Sequence, residues 1–180
     1  MRRDDLVRWL DETLAIGDFD DTSLNGLQIE GAQDVHHVAV AVDACQATLL
    51  VAAELGAQLL FVHHGLFWGR ETALVGTHGR RVRTAMGADL SLYAAHLPLD
   101  AHPELGNNAE LCRLLEVQDR APFGRWKRQS IGFSGRIAPT PPLELAARVE
   151  AHLGAPVRLL PFGPERIERI KHIGLDIASA

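Results

Sequence analysis

The sequence predicts an α/β protein with a mostly parallel main sheet, and two observations in the first half of the chain carry this prediction. Apolar runs at residues 38–42, 59–62 and 90–95 are short and uncharged, which is typical of strands that are buried on both faces of a sheet. The Ala- and Leu-rich segment 46–55 separates the first two runs and is followed by Gly56, so we expect a helix there. The order strand, helix, strand favours a parallel βαβ unit, with residues 38–42 as a central strand.

Further elements are expected on both sides of this unit. Apolar residues from Leu6 to Leu14 recur at a spacing of three to four, which predicts an amphipathic helix that ends near Gly17. Residues 25–31 contain an Asn-Gly step and a second glycine and indicate tight backbone. Residues 65–79 contain four glycines and predict a long loop, which is more often functional than merely connecting.

The rest of the chain predicts a second, smaller α/β region. A short helix is expected at residues 80–86, and Asn107 or Asn108 is expected to cap a further helix. Composition changes at residues 119–128, where basic residues surround Trp126, so we place a boundary there and predict domains 1–118 and 119–180. Beyond the boundary the pattern predicts strands at 130–137, 157–160 and 167–173 and a helix at 143–153.

Bulk properties exclude several classes of protein. The chain has 180 residues, of which 47% are hydrophobic and 23% are charged, so disorder is not expected. The net charge of −5 disfavours nucleic acid as a general partner. Cys45 and Cys112 lie far apart, unlike a secreted disulfide framework. We find neither a membrane-spanning run nor a signal peptide and predict a cytoplasmic protein without membrane association.

Residues that can bind a metal follow the predicted parallel strands. His63 and His64 end the run 59–62, Asp43 follows the first strand, and His96 and Asp100 follow the third. The carboxyl ends of parallel strands share one edge of the sheet, where ligands bind. Adjacent strand residues point to opposite faces, so the two histidines suit two ions side by side, which a carboxylate such as that of Asp100 can bridge. The alternative is that the pair is hydrogen-bonded packing.

Three motifs resemble one known family. They are Asn-Gly-Leu-Gln-Ile-Glu-Gly at residues 25–31, Val-His-His-Gly-Leu-Phe-Trp at 62–68, and His-Leu-Pro-Leu-Asp-Ala-His-Pro at 96–103 leading into Gly-Asn-Asn at 106–108. Together they resemble the GTP cyclohydrolase 1 type 2 homologues, also called NIF-three-like dinuclear-metal hexameric proteins. The likeness is dense from about residue 4 to residue 115 and looser afterwards.

The resemblance implies a two-lobed α/β fold, a ring-shaped homohexamer and two divalent metal ions between the lobes. It implies His63, His64 and Asp100 as metal ligands, with His96 nearby as a residue that supports the ligands or contacts the substrate. We place Asp43 and Asn107 in the same supporting role; no catalytic residue is identified. Zinc, manganese and iron all suit mixed imidazole and carboxylate ligands.

The resemblance also implies a function, and this chain departs from the family pattern in its last part. Members continue past the position of Ala180 to a later His-x-x-x-Glu pair that completes the metal site, so this chain resembles a C-terminally truncated member. The implied function is a metal-dependent hydrolase in which a metal-activated water attacks a nucleotide-like small molecule. Two alternatives stay open. One is a non-catalytic ring that holds metal, a partner protein or single-stranded nucleic acid, for which the basic residues around Trp126 are the only local support. The other is an inactive truncated member.

Overall fold

The computed structural model of the chain describes residues 1–160 and 162–173. Contacts divide it into two compact units, the first ending at Leu99 and the second beginning at Asp100. The first unit contains α1 (Arg3–Thr13), β1 (Gly26–Ile29), β2 (Val38–Asp43), α2 (Gln46–Glu54), β3 (Leu59–His64), α3 (Gly76–Gly87) and β4 (Ser91–Ala94). Next come α4 (Leu97–Ala101), α5 (Asn107–Leu114), β5 (Gln118–Trp126), β6 (Gln129–Thr140), α6 (Pro142–Leu153) and β7 (Ile167–Ile173).

The first unit is built on a four-stranded sheet in the order β1-β4-β3-β2. β2, β3 and β4 are parallel, whereas β1 pairs antiparallel with β4. The parallel register places Asp43 beside His64 and Val62 beside Ala94, so the ends of these strands lie at one edge. The predicted mostly parallel α/β sheet is therefore confirmed, and β1 adds a strand where only tight backbone was expected.

Alternating residues of the strands pack into two separate cores. On one face, Leu60 and Val62 of β3 join buried residues of α2 and α3. On the other face, Leu59 and Tyr93 join a cluster against which apolar residues of α1 pack. This period-two division is the expected consequence of a sheet covered by helices on both faces. β3 and β4, the two inner strands of the sheet, are thereby packed on both faces.

The prediction that residues 38–42 form a central strand is wrong in one respect. β2 forms as expected, but it is the last strand of the described sheet, and Val38, Val40 and Val42 are 50%, 76% and 53% exposed. A branched apolar run has the same local preference at an edge as in the centre, so the pattern predicts the strand but not its neighbours.

The second unit contains a three-stranded antiparallel sheet in the order β5-β6-β7. Residues 119–128, predicted as a boundary loop, instead form most of β5 and the turn of a hairpin, with Lys127 at a φ of 50°. The predicted strand at 157–160 has no regular structure. The predicted domain boundary at 118/119 falls at the start of β5, and the end of the predicted second domain, 174–180, lies outside the described residues.

Two predictions for the segment of chain that joins β4 to β5 are corrected. The sequence alone favours a loop at residues 96–100, because Pro98 lies between His96 and Asp100. In the structure Pro98 is instead the second residue of α4, where a missing N–H costs no helical hydrogen bond. Neither asparagine caps α5, which begins at Asn107 after an N-cap at Gly106. Among the described residues, no helix combines the length and apolarity that crossing a bilayer requires.

Candidate metal centre

Three histidines converge at the edge of the first sheet where β3 and β4 end. His63 and His64 are the last two residues of β3, and His96 follows β4 after one intervening residue. One ring nitrogen of each histidine lies within 4.8 Å of those of the other two. The ring centroids are 4.5 Å apart for His63 and His64, 5.0 Å for His63 and His96, and 5.6 Å for His64 and His96. These three residues form the histidine cluster.

The adjacent histidines do not diverge as the strand pattern predicts. Residues in a continuous straight strand alternate between faces, but β3 ends at His64 and Gly65 follows. The two rings are tilted by 48° and their centroids lie 4.5 Å apart, which is compatible with one shared ion and also with two ions side by side. His63 is buried, with 6% of its surface exposed, whereas His64 is partly accessible.

An oxygen acceptor fixes the tautomer of each histidine in the cluster. Nδ1 of His63 lies 3.0 Å from the carbonyl oxygen of Ala95, and Nδ1 of His64 lies 2.7 Å from Oδ1 of Asp43. Nδ1 of His96 lies 3.1 and 3.0 Å from the two carboxylate oxygens of Asp21. Carbonyl and carboxylate oxygens only accept, so Nδ1 donates in all three, and in the neutral form of each ring the lone pair lies on Nε2. Metal-binding histidines in proteins are oriented by this same kind of contact.

Asp21 has the more enclosed side chain of the two carboxylates that contact the histidine cluster. Its side chain is 2% exposed and accepts from Asn25 Nδ2 at 2.9 Å, from the backbone N–H of Leu97 at 3.1 Å and from that of Ser23 at 3.2 Å, besides His96. Burial acts to raise the pKa of Asp21, but the hydrogen bonds from His96, Asn25 and the two backbone amides outweigh it and hold the pKa far below its usual value. Asp21 is therefore ionised beside His96.

The Asn-Gly-Leu-Gln motif positions the two loops that carry the cluster. Oδ1 of Asn25 accepts from the backbone N–H of His96 at 2.7 Å. Oε1 of Gln28 accepts from the N–H of Leu66 at 2.7 Å, and its Nε2 donates to the carbonyl of Leu24 at 2.7 Å. A Cβ at Gly65 would lie 2.4 Å from the amide of Gln28, so only glycine permits this approach.

Trp68 forms an aromatic wall beside the cluster. Its ring centroid lies 5.1 Å from that of His96 in an edge-on arrangement and 6.0 Å from that of His64. Nε1 of the indole donates to the carbonyl of Gly65 at 3.0 Å, which fixes the ring relative to the end of β3. The long loop predicted after His64 therefore contributes directly to the surroundings of the histidines.

The residues predicted as ligands or supports lie in both units. His63, His64, His96 and Asp43 belong to the first unit and meet as described. Asp100 begins the second unit and is 4% exposed, and its Oδ1 accepts from Asn107 Nδ2 at 3.1 Å. The metal role of Asp100 and the supporting role of Asn107 stay predictions.

Sequence reasoning missed Asp21. Residues 18–23 look like an acidic, turn-rich connection, and the local pattern does not distinguish Asp21 from Asp18 or Asp20. Its spacing to Asn25 is the only local signal, because Asn25 Nδ2 donates to it. His96 lies 75 residues away, so this contact appears only when β4 is placed beside β1.

The donor set fits a divalent transition metal. Imidazole nitrogens suit zinc, copper, iron and nickel, and lone pairs held on Nε2 by acceptors at Nδ1 are the form in which histidine binds such ions. Three protein ligands are also the number found in catalytic zinc sites, which keep a position for water or substrate. The residues present therefore match a metal centre in both chemistry and proximity.

Comparison with known proteins identifies the family. The model of Duf34/NIF3 (NGG1p interacting factor 3) matches residues 1–174 of this chain. The chain belongs to the DUF34/NIF3 family. Its relatives include the GTP cyclohydrolase 1 type 2 homolog of Deinococcus radiodurans, 58% identical over 135 residues that are 75% of this chain and 51% of that protein. The homolog of Pyrococcus abyssi is 40% identical over 94% of this chain and 69% of that protein.

Solved structures support the same family fold. The protein TTHA1606 from Thermus thermophilus is 45% identical with a TM-score of 0.84, over 93% of this chain and 68% of that one. A structure titled protein ybgI, of unknown function, is 39% identical with a TM-score of 0.85, over 95% of this chain and 68% of that one. The chain spans about half to two thirds of the length of these DUF34/NIF3 relatives. The activity, substrates and partners of the whole relatives are therefore proposals for this chain.

Proposed function

We propose that this chain binds divalent metal through the histidine cluster and serves as a metal-dependent hydrolase. The observation that carries the proposal is the convergence of His63, His64 and His96, each with Nδ1 donating to an oxygen acceptor. Three rings held in one tautomer at the end of two parallel strands are costly to assemble for packing alone. The same arrangement prepares three Nε2 lone pairs for one ligand-binding region.

The protein's own groups would hold and orient the reactants. His63 and His64 would hold the metal, and His96, to which the resemblance gives a supporting role, would be a third ligand. The carbonyl of Ala95 and the carboxylate of Asp43 would keep the rings of His63 and His64 in place. A bound divalent ion lowers the pKa of its water so that hydroxide forms near neutral pH. The wall formed by Trp68 limits access to the cluster from one side and offers an aromatic surface to a planar substrate.

The substrate, the number of ions and the assembly are proposed on the family resemblance. Relatives are named GTP cyclohydrolase 1 type 2 homologs, which supports a nucleotide with a guanine ring as the first substrate to test. Two ions per site, zinc, manganese or iron as the metal, Asp100 as an additional ligand, a homohexamer and a cytoplasmic location are parts of the same proposal. Mixed nitrogen and oxygen donors are compatible with all three metals.

Metal binding is the first test. The purified chain is loaded with Zn²⁺ or Mn²⁺, passed through a desalting column and subjected to elemental analysis. We expect at least one ion per chain, and a His63→Ala variant should retain much less. His36→Ala is the matched control, because His36 is exposed and contacts Gln58 Oε1 through its backbone N–H. Equal metal content in wild type and His63→Ala would refute the proposed site.

Turnover is the second test. Metal-loaded chain is incubated with GTP, and opening of the guanine ring is followed by loss of its ultraviolet absorbance. We expect metal-dependent turnover that His63→Ala abolishes and His36→Ala leaves unchanged. Metal binding without turnover of GTP or other nucleotides would remove the hydrolase proposal for this chain and leave the metal-binding one.

The hairpin between β5 and β6 supports a competing function. Its turn places Trp126, which is 43% exposed, next to Arg125, Lys127 and Arg128. Basic groups around an aromatic ring match contacts to single-stranded nucleic acid. Binding of single strands that weakens with salt and is lost in Trp126→Ala would favour a non-catalytic binding protein. Absence of such binding in wild type would exclude this alternative.

A further inference from the structure

We propose that Asp21 is a positioning residue of the metal centre, which holds His96 in the tautomer that binds metal through Nε2. The inference rests on the proposed metal-binding function and adds a residue that neither the family resemblance nor the sequence pattern assigns. Its basis is the geometry of one buried carboxylate, the groups that surround it and the histidine to which it is bonded.

Asp21 differs from the other two acceptors in the cluster. The acceptor of His63 is a neutral backbone carbonyl, and Asp43, the acceptor of His64, is 34% exposed. The acceptor of His96 is the carboxylate of Asp21, whose side chain is 2% exposed. Both of its oxygens lie within 3.1 Å of Nδ1 of His96. Solvent screens a buried charge far less than an exposed one, so Asp21 acts on its imidazole more strongly than Asp43 does.

The remaining contacts of Asp21 fix where that charge lies. Asn25 Nδ2 and the backbone N–H of Leu97 both donate to Oδ2, and the N–H of Ser23 donates to Oδ1. Asn25 also accepts from the backbone N–H of His96, so the backbone and the ring of this histidine are held by the same pair of residues. The carboxylate cannot turn away from Nδ1 without losing several of these bonds.

If Asp21 served only to join the two loops, its contact to the imidazole ring of His96 would not be needed. The bonds from Ser23, Asn25 and Leu97 already join the segment before β1 to the segment after β4. The additional contact constrains the imidazole, because an acceptor at Nδ1 leaves the lone pair on Nε2. A carboxylate in this position also makes the imidazole a stronger ligand, as in the carboxylate–histidine–metal arrangements of other proteins. Asp21 thereby acts on the metal centre through His96.

The test replaces the charge without changing the shape. Asp21→Asn is compared with Asp20→Asn, which removes the same charge from an exposed neighbouring position. Long-range ¹H–¹⁵N NMR of the metal-free proteins reports which ring nitrogen of His96 carries the proton, with His96→Gln to assign the signals. We expect Nδ1–H in wild type and in Asp20→Asn, and a reduced Nδ1–H population in Asp21→Asn, because its amide NH₂ can donate to Nδ1.

Zn²⁺ affinity is then measured by competition with a chromogenic chelator. Affinity should fall about 10- to 100-fold in Asp21→Asn, the range for removal of a group that orients a metal ligand, and stay unchanged in Asp20→Asn. An unchanged tautomer and affinity in folded Asp21→Asn would overturn the proposal. If Asp21→Asn does not fold, the wild-type spectrum still decides, because Nε2–H on metal-free His96 would overturn it. A wild type that binds no Zn²⁺ while its tautomer responds to Asp21→Asn refutes the proposed function and supports only the control of the His96 tautomer by Asp21.

Discussion

Nδ1 of His64 lies 2.7 Å from Oδ1 of Asp43, across the register in which β2 and β3 run side by side. The pairing of two parallel strands therefore brings a carboxylate to the ring of a candidate metal ligand. Because Asp43 is itself paired with His64 in the ladder, any displacement of β2 relative to β3 would also displace the ring. The integrity of this edge of the sheet and the geometry of the histidine cluster are consequently linked.

We predict that Asp43→Ala weakens metal binding while leaving the fold intact. Loss of the acceptor frees the ring of His64, and removal of a group that orients a metal ligand costs about 10- to 100-fold in affinity. Competition with a chromogenic chelator measures the effect, and circular dichroism checks the fold. Asp34→Ala is the control, because the Asp34 side chain lies in an exposed ion pair with Arg2 at 3.4 Å. Equal affinities in the two variants would contradict the link between Asp43 and the cluster.

Gly65→Ala is expected to destabilise the protein by about 1–3 kcal/mol, the usual cost of an added methyl group in a closely packed region. The new Cβ would lie 2.4 Å from Gln28, whose amide oxygen accepts from the N–H of Leu66. Urea unfolding of Gly65→Ala, Gln28→Ala and the double variant measures the cost, and the loss in the double variant should be smaller than the sum of the two single losses. Gly17→Ala is the control, because a Cβ there meets nothing within 4 Å. Similar stability of Gly65→Ala and Gly17→Ala would show that the close approach of Gln28 does not restrict the residue at position 65.

Two apolar residues of neighbouring strands should differ strongly in their contribution to stability. Leu60 of β3 is 1% exposed, whereas Val40 of β2 is 76% exposed. We expect Leu60→Ala to lower the free energy of unfolding by about 2–5 kcal/mol, because it leaves a cavity between the sheet and its helices. Val40→Ala should change it by less than about 0.5 kcal/mol. Chemical denaturation of both variants checks this, and a large loss for Val40→Ala would show that β2 is covered in solution.

Tyr93 should make stability depend on alkaline pH. Burial is the largest cause that raises the pKa of Tyr93 above its usual value, and its hydrogen bond to Asp11 Oδ1, at 2.7 Å, raises the pKa further. The folded state holds the phenol neutral. The stability that the raised pKa of Tyr93 contributes is therefore complete below the usual tyrosine pKa of about 10 and is lost as the pH rises above it.

Tyr93→Phe tests this relation. The variant should be less stable by about 1.5–3 kcal/mol at neutral pH, since the lost bond is to a charged group. The difference from wild type should shrink above pH ~10, where only the unfolded wild type gains from ionisation. Tyr93 is the single tyrosine of the chain, so phenolate absorbance reports this group alone. Phenolate formation in the folded protein at the usual tyrosine pKa would contradict the prediction.

The elements that sequence reasoning predicts well are those with a strong local pattern. The apolar spacing of α1 and the branched runs of β2, β3 and β4 depend on short stretches of chain, and the structure confirms all four. β5 was missed because Pro122, Gly124 and a basic cluster look like a loop, although Pro122 and Phe123 pair with β6. Pairing with β6, the second strand of the same hairpin, outweighs such local preferences, since the partner strand supplies the hydrogen bonds.

The sequence by itself determined the family motifs, the parallel strands and the position of His63 and His64 at a strand end. These features are encoded within a few consecutive residues, where periodicity and residue type have direct physical meaning. Only the tertiary structure decided that β2 lies at the edge of the described sheet, that the adjacent rings lie together, and that His96 joins them. It alone revealed Asp21, because a contact across 75 residues depends on how strands are ordered, and no local pattern encodes that order.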